Sequence, residues 1–153
     1  MRRAKQALAA EEIQQVLEEN TSGVLSLIDD KYPYSVPLSY AAEESRIYFH
    51  AANEGKKLDV IKQNPAATFC VIDSDNVIPE KFTTAYRSVT AFGRIEIAEG
   101  SQRYHGLELL AEKYCVEVGK DMAQAEIEKF DRHTTVFVLN IDIITGKKGS
   151  QFR

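Results

Sequence analysis

The chain predicts a mainly β protein with flanking helices, an antiparallel barrel or closed sheet, and three observations lead there. Six extended segments are joined mostly by hairpin-type turns. The longest, Thr83–Ile97, alternates along its length: Val89, Ala91, Gly93, Ile95 and Ile97 are apolar or small, whereas Tyr86, Ser88, Thr90, Phe92, Arg94 and Glu96 mix polar with aromatic side chains. Such alternation sets one face of a strand on a core. Helices are too few for a doubly wound parallel sheet, and no Gly-x-Gly-x-x-Gly follows a strand, so a Rossmann nucleotide site is unsupported.

The elements follow in order. Ile13, Val16 and Leu17 share one face of a first helix that Asn20 and Gly23 terminate. Residues 23–28 form a short apolar strand, and the turn at 29–33 sends residues 34–41 back against it as a hairpin. Pro37 cannot donate to a ladder, so it marks an edge, a bulge or the close approach of another group. After a turn at Glu43-Glu44-Ser45, residues 46–50 make the third strand, and residues 66–73 the fourth, carrying Phe69, Cys70 and Val71. Residues 74–82, polar and containing Pro79, read as a loop. Beyond the long strand, Leu107, Leu110, Ala111 and Tyr114 recur at helical spacing over about 101–116, and a shorter helix covers about 123–130. The last strand, 134–144, sets Phe137, Leu139, Ile141 and Ile143 on one face. At 153 residues this is most simply one domain, residues 1–153, with a core of its own.

The strongest site signal lies between Tyr48 and Pro65. Ile47, Tyr48 and Phe49 end a strand, residues 51–55 are small and polar enough for a tight loop, and Asn64-Pro65 stops the short helix that follows. Lys56 and Lys57 stand at the start of that helix, where the dipole prefers an anion to a cation. A phosphate seated on the free N–H groups and gripped by the lysines would resolve the conflict. A solvated lysine pair on a surface helix is the plainer alternative, and spacing alone leaves it standing.

Composition narrows the rest. A net charge of -4 and a pI near 5.4 argue against a nucleic-acid surface. Apolar segments are short and interrupted, so no membrane span is expected. Gln6, Glu11 and Glu12 interrupt the residues behind the basic N-terminus, which predicts no secretory leader. Cys70 and Cys115 read as buried free thiols, and the expected location is the cytoplasm. His50, His105 and His133 show no metal-ligand spacing, so no metal site is expected. His105 and His133 read as surface or capping residues, whereas His50 falls at the mouth of the candidate phosphate loop. No Gly-x-Ser-x-Gly occurs, and the carboxylates are spread over helix faces. Without an evident polar catalyst, either a bound cofactor carries a reaction or there is none.

Six stretches taken together resemble a known family. They are Met1-Arg-Arg, Gly23-Val-Leu, Val36-Pro-Leu-Ser-Tyr40, Tyr48-Phe-His-Ala with Gly55-Lys-Lys-Leu and Asn64-Pro65, and Tyr86-Arg-Ser-Val-Thr-Ala-Phe-Gly-Arg94, with Ile144-Thr-Gly-Lys147 near the end. In this order the chain resembles the FMN-binding split-barrel superfamily related to pyridoxamine 5′-phosphate oxidase, and within it the nitroimidazole-resistance branch. The resemblance implies a six-stranded antiparallel Greek-key split barrel and a homodimer with FMN at the subunit interface, FAD remaining open. It implies that Gly55, Lys56 and Lys57 hold the phosphate beside His50 and Ala51. Val36, Pro37, Leu38, Ser39 and Tyr40 would run along the isoalloxazine and ribityl chain, with Ser88 and Val89 reaching the flavin from the long strand. The implied activity is a nitroreductase-like, FMN-dependent oxidoreduction, moving electrons from a nicotinamide or other small-molecule donor to a small acceptor, with His50 as the catalytic pocket group. A non-catalytic flavin- or haem-binding module is the alternative. Oxidation of a vitamin B6 phosphate is not expected, because the chain has no Trp and ends at Gly149-Ser-Gln-Phe-Arg153. A dimer also suits the sheet hydrophobes: Val89, Ala91, Ile95 and Ile97, with Phe137, Leu139, Ile141 and Ile143, exceed what one small barrel needs.

Overall fold

The computed structural model describes residues 4–115, 117, 119–130 and 133–152. Met1, Arg2 and Arg3 of the opening motif, and Val116 at the expected end of the long helix, lie outside the described residues. Helix α1 (Ala10–Glu19) leads into the hairpin β1 (Ser22–Ile28) and β2 (Pro33–Ser39), then β3 (Ala41–Glu43) and β4 (Arg46–Ala52). Helix α2 (Lys56–Gln63) precedes the long hairpin β5 (Ala66–Ile78) and β6 (Thr83–Ile97), followed by α3 (Gly100–Tyr114), α4 (Lys120–Phe130) and β7 (Thr134–Lys148). The strands make one antiparallel sheet in the order β2-β1-β5-β6-β7-β4-β3.

The two outermost strands, β2 and β3, are consecutive in the chain and separated only by Tyr40. One residue can link opposite edges only if the sheet curls until those edges meet, which is the split barrel the motifs imply. Tyr40 is tied down accordingly. Its ring is fully buried, its hydroxyl donates to the Leu17 carbonyl at 2.9 Å, and its N–H donates to the Tyr114 hydroxyl at 2.9 Å. This break turns the single expected strand 34–41 into two, so seven strands replace six.

The barrel interior is aromatic at its centre. Phe69 meets Tyr40 and Phe49 edge-on, each at 4.9 Å, and Phe49 stacks on Phe137 at 5.1 Å. Val89, Ala91, Ile95, Phe137 and Leu139 are buried in the same cluster, so they serve one core and carry no argument for a dimer. Ile143 departs from its expected face. The β6–β7 register slips between Phe92 and Gly93, leaving Asp142 unpaired, and Ile143 emerges opposite Phe92 with 61% of its surface exposed. The expected loop 74–82 is mostly strand. A second irregularity between Ile72 and Ser74 lets β5 continue to Ile78, and Pro79–Lys81 makes a single 3₁₀ turn before β6. Polar side chains were no obstacle there, because both faces of this projecting hairpin meet solvent more than core. β7 likewise runs beyond Ile144 to Lys148, pairing with β6 as far as Arg87.

Helix α1 sends Val16 and Leu17 into the core, and α3 covers the outer side of β4 and β7, where Tyr48, Ala98, Val136 and Val138 form a second cluster. His105 lies within α3, where its Nε2 is 2.6 Å from a Glu43 oxygen, and does not begin or cap that helix. Among the described residues, no helix is long and apolar enough to cross a membrane.

Candidate functional site

The site is assembled where β4 hands over to α2. Gly55 caps α2 at φ +132°, a conformation open to glycine, and a Cβ there would meet only empty space. Leu58 and Asp59 direct their N–H groups back to the Gly55 carbonyl, at 3.0 and 3.3 Å. The preceding N–H groups, those of Lys56 and Lys57, have no partner within a helix, and Gly55 at the N-cap has no side chain to cap them. The helix start is thus open, donor-rich and sterically clear, which fits a phosphate.

The two lysines differ. Lys56 Nζ lies 2.7 Å from Asp29 Oδ2, on the turn between β1 and β2, and that hydrogen bond raises its pKa, aided by the charges of Asp29, Asp30 and Asp59. Lys57 is more sheltered and lies with Nζ 5.9 Å from the Phe137 ring centroid. Burial lowers its pKa, and no carboxylate of the described residues pairs with it. Of the two, Lys57 is the ammonium an anion could reach without displacing a carboxylate of the described residues.

Strand alternation divides the remaining candidates. Pro37 and Ser39 pair with Val24 and Ser22, and Ser88 with Ile72, on the outer face of the sheet. Val36, Leu38 and Ala51 pack against the core, Val89 is buried in it, and the Tyr40 side chain is committed to Leu17. Pro37, Ser39 and Ser88 therefore present side chains outward, whereas what Tyr40 and Val89 can offer a ligand is backbone. Both Pro37 and Ser39 lie on β2, an edge strand, so the proline costs no interior ladder bond.

His50 follows Phe49 on β4 and faces away from the core. With Ser39 and Thr134 it edges a cavity of about 450 Å³ whose wall is Leu107, Leu110 and Ala111 of α3 and Ile127 of α4. Tyr114, Cys115 and Glu126 complete the lining. An apolar hollow with a few polar groups at one side is the usual form of a small-molecule site. Sequence reasoning missed the helical half, because α3 reads as an amphipathic helix and nothing local says it covers β4. It also missed Asp29, which meets Lys56 only through the fold.

Burial pushes the His50 pKa below its ordinary 6.5, and the nearby Lys57 charge pushes it the same way. The imidazole is therefore neutral at pH 7 and can both donate and accept a hydrogen bond. In the window between the lowered value and 6.5 the unfolded chain binds more protons at this residue than the folded one, so stability falls as pH drops through it. NMR titration of the ring should give a midpoint below 6.5, and His50→Gln should remove that share of the acid loss. A midpoint at or above 6.5 would contradict the burial.

A family model described as pyridoxamine 5′-phosphate oxidase matches residues 9–148. No match is found among curated proteins. Solved structures with the same fold include a candidate 5-nitroimidazole antibiotic resistance protein from Bacteroides thetaiotaomicron, 19% identical over 93% of this chain and 86% of that one, with a TM-score of 0.76. The FAD and haem binding protein of Mycobacterium smegmatis is 20% identical over 97% and 75% of the two chains, with a TM-score of 0.80. An FAD-binding protein of Mesorhizobium loti is 23% identical over 95% and 98%, with a TM-score of 0.63.

Proposed function

Because the chain belongs to the pyridoxamine 5′-phosphate oxidase family, we propose that it binds a flavin, FMN by preference, and acts as a nitroreductase-like oxidoreductase on a small acceptor. The observation that carries this reading is the glycine-capped start of α2 beside the Lys57 ammonium, which pairs with no carboxylate of the described residues, a place for a phosphate dianion. Flavin, when bound, supplies hydride and electron transfer. This chain's own residues do the rest. Lys57 and the first N–H groups of α2 would hold the phosphate, with Gly55 leaving room for it. Pro37, Ser39 and Ser88 would border the flavin on the outer sheet face. The hollow beside His50 would take the acceptor, its leucines excluding water and the neutral imidazole hydrogen-bonding an acceptor oxygen.

A homodimer belongs to this reading, and the exposed residues that support it share only Ile143 with those the sequence suggested. Ile28, Ile72, Phe92 and Ile143 are exposed on the sheet's outer face, at 58%, 63%, 42% and 61%. They stand on β1, β5, β6 and β7, with Phe92 directly opposite Ile143, and a second copy laid on this face would cover them. A cytoplasmic, single-domain protein remains the setting we propose. The second reading, a flavin- or haem-binding module without turnover, draws on His50: among the described residues it is the one histidine lining the cavity.

Mass spectrometry of the ligand released from purified protein, followed by steady-state assay with a reduced nicotinamide and a nitroaromatic acceptor, tests the proposal. FMN and sustained turnover are expected, with a dimer in sedimentation. Flavin without turnover favours the second reading, haem as the released ligand replaces the first, and a colourless protein that FMN cannot reconstitute ends the flavin assignment.

A further inference from the structure

Lys56 stands among three carboxylates, those of Asp29, Asp30 and Asp59, whereas Lys57, one residue on, lies over the Phe137 ring and pairs with no carboxylate of the described residues. The nearest of the three is held in place. Asp29 Oδ2 lies 2.7 Å from Lys56 Nζ, its side chain is only 18% exposed, and the Lys56 ammonium together with the Asp30 N–H keeps its carboxyl below the usual range. We propose that Asp29 is an anion gate on the α2 corner: its carboxylate holds Lys56, and a phosphate must compete with it for that ammonium. The inference rests on the phosphate reading above and adds a residue that opposes it. A phosphate entering the corner meets two costs from Asp29. Lys56 must leave a charge-assisted hydrogen bond to turn toward the newcomer, and the carboxylate it abandons then faces a dianion with like charge. Neutralising Asp29 removes both costs without altering the volume of the side chain.

The test titrates flavin-free protein with FMN and, separately, with riboflavin, which carries no phosphate, following flavin fluorescence at fixed ionic strength. Asp29→Asn should bind FMN about five- to tenfold tighter than the parent, the scale of one partly shielded charge contact, with riboflavin affinity unchanged. In a Lys56→Met background the gain from Asp29→Asn should shrink, because the contested ammonium is gone. Unchanged or weaker FMN binding by Asp29→Asn overturns the gate and makes Asp29 a support for Lys56. An equal gain with and without Lys56 also overturns it, leaving bare repulsion. If the parent binds FMN no tighter than riboflavin, the phosphate reading fails, and the gate with it.

Discussion

Lys57→Ala is expected to weaken FMN binding by about 10- to 150-fold, corresponding to the roughly 1.5–3 kcal/mol of a hydrogen bond to a charged group. Lys56→Ala should cost less. The reason is the reference state of each ammonium. Lys56 gives up Asp29 before it can meet a phosphate, so much of what it gains it has already lost. Lys57 gives up only solvent and its place over the Phe137 ring, and burial already disfavours its charge. An incoming dianion would relieve that penalty, so the Lys57 pKa should rise on binding. Neither substitution touches the core packing of Leu58, Val60 and Ile61, which face inward from the same helix. Thermal unfolding without ligand should therefore change little, separating a binding defect from a folding one. Titration of both variants by flavin fluorescence decides the matter: a larger loss for Lys56→Ala, or none for either, would remove Lys57 from the site.

The contrast between the two lysines marks where sequence stops being informative. The corner itself was legible because its signals are local: β-formers ending at Phe49, a glycine before a lysine pair, and an Asn-Pro stop all act within a few residues. Asp29 is distant from Lys56 in sequence, and only closure of the sheet brings the β1–β2 turn against α2. The same distinction explains the fold. Hairpins and the alternation of β6 could be read from period and turn chemistry. The break at Tyr40 could not, since it is set by the meeting of opposite sheet edges. The candidate run 36–40 is continuous in sequence, although a strand shows alternate residues to opposite faces. Pro37 and Ser39 point outward and Val36 and Leu38 pack inward, so the run divides between the outer face and the core. The cavity's helical wall was invisible for a further reason: Leu107 and Leu110 have the spacing of any amphipathic helix, and which surface they cover is a tertiary fact.

Gly93 is the position where a single methyl group should do the most damage to the fold. Within the alternation of β6 it reads as a small residue on the core face, and a small-to-small change to alanine would pass unnoticed. The structure makes it the contact point of the β6–β7 slip. A Cβ on Gly93 would lie 1.9 Å from the Asn140 carbonyl oxygen and 2.9 Å from its carbon, both backbone atoms with no rotamer to yield. Relief requires β7 to move away from β6, yet Asn140 pairs with Arg46 and Ile141 donates its N–H to the Ser45 carbonyl at 2.9 Å. The displacement would thus pass into β4, the strand that carries Phe49 and His50. Gly93→Ala should lose about 3 kcal/mol or more of stability, which for a chain of this size lowers Tm by roughly 6–12 °C. Denaturant melts measure the loss directly, and retained FMN affinity per folded molecule is not expected, because β4 leads into the α2 corner. A stability within about 0.5 kcal/mol of the parent would mean that the slip between the two strands can relax around a methyl group, and that the outward turn of Ile143 is set by something other than this close approach.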